Sequence, residues 1–280
     1  MEWIDTKTKL TCLLGHPISH SVSPAIHNAS YHEMGLNAIY LAFDVINLPK
    51  AIVGLQEIGA VGCNVTIPHK EEACRLMDWL SEEARESGAV NTVKFEDRLL
   101  GYNTDVSGVL YSLELLDLGQ VDSVLLLGAG GAARSVLLGV RERARKVFVT
   151  SRNIERARKI LELCVRLGLD AEAVPWTERN SYLEKIDFLI NATPVGTEER
   201  GIPINPALLR KGCYVFDLVY NPPRTPLIEE ALKKGCKAIG GLPMLIRQAA
   251  EAEKIWFGVE PPEDVMMRAA LSYLGVRYEV

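Results

Sequence analysis

The sequence predicts an α/β protein of two domains, the first built on a mostly parallel sheet and the second on a doubly wound one. Three observations carry this. Short apolar runs alternate with amphipathic stretches twice along the chain, the pattern of repeated strand-helix units. The two alternations are separated by a long helical pattern that follows Thr104-Asp105. And 280 residues is long for a single core and comfortable for two domains. The expected division is 1–105 for the first domain, completed by helices in 242–280, and 106–241 for the second.

In the first domain, 10–15, 38–45 and 61–67 read as strands and 24–34 and 48–58 as helices, so the strands run parallel with right-handed crossovers. Residues 89–95 and 99–102 are separated only by Glu96-Asp97-Arg98, too short for a crossover, and read as a hairpin. Ser23 is the expected N-cap of the first helix, with Pro24 in its first turn. In the second domain the strands are expected at 124–127, 146–150, 171–176, 186–191, 214–219 and 237–240, with helical stretches in most intervals. The C-terminal stretches 244–257 and 262–274 are helical and bring no strand pair of their own, so they are expected to return to the first domain.

Composition narrows the function classes. With 48% hydrophobic and 24% charged residues the chain has the make-up of a folded protein and not of a disordered one. A net charge of −5 and scattered basic residues argue against a nucleic-acid partner. No run of some 18 apolar residues occurs, and the N-terminus lacks a basic segment followed by an apolar one. A soluble, cytoplasmic protein without a membrane partner is expected, as monomer or homodimer. Six cysteines lie far apart without a C-x-x-C pair, which reads as reduced thiols and no metal site.

The strongest motif is Gly128-Ala129-Gly130-Gly131-Ala132-Ala133, which follows an apolar strand and opens an amphipathic helix. In that setting Gly128 permits the tight turn, Gly130 lets a pyrophosphate approach, and Ala133 lets the helix pack near the strand. The second domain is therefore read as a Rossmann-type nucleotide site. An NAD enzyme usually carries an acid at the end of the next strand, about 20 residues on, to hold the ribose hydroxyl. Here that place reads Thr150-Ser151-Arg152-Asn153, without an acid, and Arg152 has the planar fork that suits a 2′-phosphate. NADP(H) is the expected cofactor.

Polar residues also gather where strands of the first domain end. Ser21 and Ser23 precede a helix, which can be simple capping or a carboxylate receptor. Lys70 follows the third strand at its carboxyl end, where open α/β sheets bind ligands. Asn91-Thr92 and Asn103-Thr104-Asp105 end the two neighbouring runs.

These blocks together resemble the shikimate dehydrogenase family over essentially the whole chain: Ser21-Val22-Ser23-Pro24, Asn64-Val65-Thr66-Ile67-Pro68-His69-Lys70, Gly88-Ala89-Val90-Asn91-Thr92, Gly101-Tyr102-Asn103-Thr104-Asp105, the glycine loop, Asn191-Ala192-Thr193-Pro194, Asp217-Leu218-Val219-Tyr220 and Met244-Leu245-Ile246-Arg247-Gln248. Pro243, where many members have glycine, and Ser151, where many have asparagine, depart from the pattern. The resemblance implies reversible reduction of 3-dehydroshikimate to shikimate by NADPH, on the route to chorismate and the aromatic amino acids. It implies Lys70 and Asp105 as the catalytic pair and Ser21 and Ser23 as holders of the substrate carboxylate. Thr66, Asn91, Tyr220 and Gln248 would bind or shape the pocket of the ring hydroxyls, beside Lys70 and Asp105. The cofactor would touch Gly128, Ala129, Gly130, Gly131, Ala132, Ser151, Arg152, Asn153, Arg156, Leu218, Gly241 and Glu82. The alternative within the family is a quinate/shikimate dehydrogenase with broader substrate range or NAD use.

Overall fold

The computed structural model describes residues 4–197 and 201–276. The chain divides into two compact units, Met1–Asp105 with Ile246–Val280, and Val106–Leu245.

The first unit holds a six-stranded sheet of β1 (Lys9–Gly15), β2 (Ala38–Asp44), β3 (Gly62–Val65), β4 (Trp79–Leu80), β5 (Thr92–Phe95) and β6 (Leu99–Tyr102), in the order β2-β1-β3-β5-β6-β4. β1 pairs in parallel with β2 and β3, whereas β5 runs antiparallel between β3 and β6. Alternation along β1 sorts its side chains: Cys12 and Leu14 join Leu48, Ile52 and Val65 on one face, and Leu13 joins Tyr31, Tyr40 and Trp256 on the other. The helices are α1 (Ser23–Glu33), α2 (Leu48–Glu57), α3 (Lys70–Leu76) and α4 (Glu82–Ser87).

Two features of this sheet and its helices differ from the sequence expectation. Ser23 is not the N-cap of α1 but its first residue; Val22 occupies the cap position in a helical conformation with no side-chain cap. The hydroxyl that turns back on the backbone here is that of Ser21, accepting from the Ser23 N–H at 3.2 Å, a serine turn in place of a cap. Between β3 and β5 the chain also forms α3, α4 and the two-residue β4, which pairs in parallel with β6. Elements this short carry too few residues for a periodic apolar signal.

The second unit is led in by α5 (Asp105–Leu115) and holds β7 (Val121–Leu127), α6 (Gly131–Val140), β8 (Ala144–Ser151), α7 (Ile154–Arg166), β9 (Asp170–Pro175), β10 (Phe188–Asn191), β11 (Tyr214–Asp217), α8 (Pro226–Lys233) and β12 (Lys237–Ile239). All six strands are parallel, in the order β12-β11-β10-β7-β8-β9. That is the doubly wound order, with its switch point between β7 and β10. β7 is apolar on both faces, as such a sheet requires: Val124 and Leu126 enter one core, Leu125 and Leu127 the other.

The C-terminal helices are α9 (Leu242–Phe257) and α10 (Glu263–Tyr273). α9 starts two residues before the expected point, which places Pro243 in its first turn, where a missing N–H costs no hydrogen bond. α10 lies along α1, and α9 docks on the first sheet by its far end, the Trp256 indole donating to the Val93 carbonyl at 3.0 Å. A Cβ on Gly62 would sit 2.2 Å from that indole nitrogen, so β3 admits α9 only through a glycine.

Candidate active site

The parallel strands β1 and β3 run on side by side past their ends, the Thr66 N–H bonding the Leu14 carbonyl and the His16 N–H bonding the Ile67 carbonyl. This sets Thr66 against the segment that leads to Ser21, Ser23 and α1. The approach is close: a Cβ on Gly15 would lie 2.4 Å from Thr66 Cγ2. His69 then closes the turn into α3, its Nε2 2.7 Å from the Val45 carbonyl oxygen, and Lys70 is the first helical residue. A cation at the positive end of a helix is locally unfavourable. It is offset by Asp105, which lies across the strand ends with its Oδ2 2.5 Å from Lys70 Nζ.

Asp105 opens α5, and its backbone N–H and both carboxylate oxygens are bonded. Its backbone N–H donates to Asn103 Oδ1 at 3.2 Å, and its Oδ1 accepts from Asn91 Nδ2 at 2.9 Å. The same Asn91 amide nitrogen donates to Thr104 Oγ1 at 2.9 Å and lies 3.3 Å from Gln248 Oε1, which brings α9 into the group. Asn91 Oδ1 in turn accepts from the Thr104 N–H and from Thr92 Oγ1. Behind them Asn64 Nδ2 donates to the Asn91 carbonyl and to Thr92 Oγ1, while Asn64 Oδ1 accepts from the buried Tyr40 hydroxyl at 2.7 Å. The amide of Asn91 thus has its orientation fixed from both sides. The Lys70 side chain keeps 14% of its surface exposed and that of Asp105 only 6%, so the ammonium is the member of the pair that meets solvent or a ligand.

Of the residues predicted from sequence, the structure brings together Lys70, Asp105, Asn91 and Gln248 by direct bonds, and Ser21 with Ser23. Thr66 lies beside the segment that leads to the serines, Glu82 is an exposed residue in the first turn of α4, and Tyr220 belongs to the second unit. Tyr40 and Asn64 were given no role from sequence. Asn64 sits inside a block that the resemblance quoted, but Tyr40 is one aromatic in an apolar strand and carries no local signal.

In the second unit the glycine loop leaves β7 through Gly128 at φ +113°, where a side chain would also meet the Ala192 carbonyl oxygen at 2.7 Å. Gly130 is the N-cap of α6 without any side-chain cap, and a Cβ there would touch nothing within 4 Å. A helix start without a side-chain cap and the room beside Gly130 suit a pyrophosphate, so the residues present fit a dinucleotide. At the end of β8, Ser151 Oγ accepts from the Asn153 N–H, and Asn153 Oδ1 caps α7 by accepting from the N–H groups of Glu155 and Arg156. Arg152 and Arg156 are exposed, and the nearest acid in sequence, Glu155, is bound to Arg158 at 2.7 Å. Leu218 and Gly241 meet directly, since a Cβ on Gly241 would lie 2.1 Å from the Leu218 carbonyl oxygen. Among the described residues no group of three or more His, Cys, Asp or Glu could hold a metal ion, and no helix is long and apolar enough to cross a membrane.

Three family models match the chain: the shikimate dehydrogenase substrate binding domain over 13–93, shikimate / quinate 5-dehydrogenase over 114–199, and the shikimate 5'-dehydrogenase C-terminal domain over 241–271. The shikimate dehydrogenase (NADP(+)) of Methanocaldococcus jannaschii is 42% identical over 279 residues, covering 96% of this chain and 98% of that protein. The chain belongs to the shikimate dehydrogenase family. Among solved structures, a shikimate dehydrogenase in complex with NADP+ superposes with a TM-score of 0.89 at 38% identity, covering 97% of each chain. The quinate dehydrogenase of Corynebacterium glutamicum in complex with NAD gives a TM-score of 0.88 at 30% identity, covering 95% of this chain and 99% of that one. The family thus includes members with different substrates and cofactors, and the choice between them rests on this chain's own residues.

Proposed function

We propose that the chain catalyses the reversible NADP-linked reduction of 3-dehydroshikimate to shikimate, the first unit binding the substrate and the second the dinucleotide. The observation that carries this reading is the Lys70–Asp105 pair with Asn91 fixed behind it. Bound NADPH supplies the hydride, and the rest of the chemistry falls to side chains of the chain itself. As the carbonyl carbon gains hydride its oxygen gains negative charge, and that charge needs a cation and a proton within hydrogen-bond reach. Lys70 offers both. Its ammonium has three donors, of which one is taken by Asp105, so the others can turn to the substrate oxygen. In the oxidation direction the same nitrogen takes the proton back. Asp105 is an anchor for the ammonium, and Asn91 prevents its carboxylate from turning away.

Ser21 and Ser23, at the start of the 11-residue α1, supply hydroxyls and a helix N-terminus for the substrate carboxylate. Thr66, Asn91, Gln248 and Tyr220 are assigned to the ring hydroxyls. Gly128, Ala129, Gly130, Gly131 and Ala132 take the pyrophosphate; Ser151, Arg152, Asn153 and Arg156 take the 2′-phosphate end; Leu218, Gly241 and Glu82 complete the cofactor contacts. The absence of an acid at the end of β8 favours NADP(H) over NAD(H).

Spectrophotometric turnover tests the assignment, with shikimate and quinate each offered NADP+ and NAD+. The expected result is that shikimate with NADP+ gives the highest kcat/KM. Higher kcat/KM for quinate with NAD+ would replace the reading by the quinate dehydrogenase one, and no turnover of either acid would overturn both.

A further inference from the structure

One cluster of polar side chains in the first unit has no part in the chemistry above. His27 of α1 and Glu253 of α9 are both fully buried, with Nδ1 and Oε1 2.6 Å apart, and Ser30 Oγ donates to Glu253 Oε2 at 2.6 Å. Their surroundings are aromatic. The His27 ring stacks on Tyr40 at 4.1 Å between centroids, with Tyr31 at 6.0 Å and Trp256 at 5.7 Å. His27 Nε2 has no hydrogen-bond partner among the described residues. A pocket of this kind would be filled at no cost in stability by apolar side chains, because a buried pair must overcome the loss of hydration of both groups. What a hydrogen-bonded pair adds over an apolar contact is a fixed distance and direction between two helices.

Those two helices both reach the candidate active site. His27 is four residues from Ser23, about 6 Å along α1, and Glu253 is five residues from Gln248, about 7.5 Å along α9. Gln248 bonds the Asn91 amide, and Ser23 is tied to Ser21. The cluster also backs Tyr40, whose hydroxyl fixes Asn64 behind Asn91. A slip of either helix at this point therefore displaces a substrate-facing residue about one turn away. We infer that Glu253, through His27 and Ser30, is a positioning residue that sets the start of α1 against Gln248 and so fixes the span over which the substrate's carboxylate and ring hydroxyls are held.

The inference rests on the proposed substrate, and the wild-type assay separates the two: without wild-type turnover of shikimate the functional reading fails first. Given turnover, Glu253→Ala should raise KM for shikimate about tenfold while kcat and KM for NADP+ stay within about twofold. Glu253→Gln keeps the length and an acceptor for His27, and should restore KM to within about twofold of wild type. Ser30→Ala, a smaller change that the fold should tolerate if Glu253→Ala does not, removes one of the two contacts and should raise KM about threefold. An unchanged shikimate KM in Ser30→Ala or Glu253→Ala would overturn the inference. So would a parallel loss of kcat, both KM values and thermal midpoint, which is the mark of a role in stability alone.

Discussion

The two candidate ligand sites of this chain are made of opposite materials. In the first unit the site is a set of side chains already bonded to one another: Lys70 to Asp105, Asp105 to Asn91, Asn91 to Thr104 and Gln248. In the second unit it is backbone and the absence of side chains: Gly128 at positive φ, Gly130 facing open space, and a helix end without a cap. The contrast extends to two buried aspartates. Asp105 has an ammonium and an amide to meet its charge. Among the described residues Asp217 is met only by neutral donors, the Thr225 hydroxyl, the Asn191 amide and the Val219 N–H, and burial pushes its carboxyl up to about 6. A site that moves protons needs charged groups with settled orientation. One that holds an anion needs only donors and room.

Substitutions should separate these two designs. The largest effect is expected for Lys70→Ala, which removes the group proposed to meet the developing negative charge. Its kcat should fall by about 10² to 10⁴ with KM for shikimate raised only a few fold, as steady-state kinetics would show. Gly128→Val follows, since any side chain meets the Ala192 carbonyl and the backbone angle at once. The resulting shift of the loop removes charge-assisted backbone contacts to the pyrophosphate and should weaken NADP+ by about 100-fold, read by fluorescence titration. Arg152→Ala should weaken NADP(H) by about 1.5 to 3 kcal/mol and leave NAD(H) nearly unchanged. Equal losses for the two cofactors would assign Arg152 to the fold instead.

The smallest effect on activity concerns Asp217, where the change is one of stability. Its folded pKa, about 6, lies above the ordinary 3.8, so the folded chain holds a proton that the unfolded chain has released. Stability from this group is therefore greatest below about pH 4, declines as pH rises toward 6, and is level above that. Asp217→Asn should gain on wild type across that window by at most about 3 kcal/mol, read from urea midpoints at successive pH values. A constant difference at every pH would contradict the assignment.

How far each site was legible in the sequence follows from the same contrast. The glycine loop is contiguous, and its strand, turn and helix lie within one apolar-periodic stretch, so Gly128 to Ala133 could be read directly. The parallel sheets were legible because βα alternation has a strong period. The first site is assembled from Lys70, Asn91, Asp105 and Gln248, far apart in the chain, and was approached only through strand ends and family resemblance. Nothing local marks Tyr40 as the support of Asn64, or joins His27 to Glu253 across 226 positions. The first contact exists only once β2 and β3 lie in one sheet, and the second only after α9 has docked on it. The misplaced cap of α1 has a local cause: Ser21 and Ser23 are both plausible caps, and backbone angles alone decide that Val22 holds the position.

The central claim is that proton chemistry resides in the first unit and cofactor capture in the second. Calorimetric titration of Lys70→Ala and Gly128→Val, each with shikimate and with NADP+, tests it most directly. The account predicts a crossed pattern, in which Lys70→Ala keeps the wild-type affinity for NADP+ and Gly128→Val keeps that for shikimate. Each variant losing both ligands to a similar degree would contradict the division.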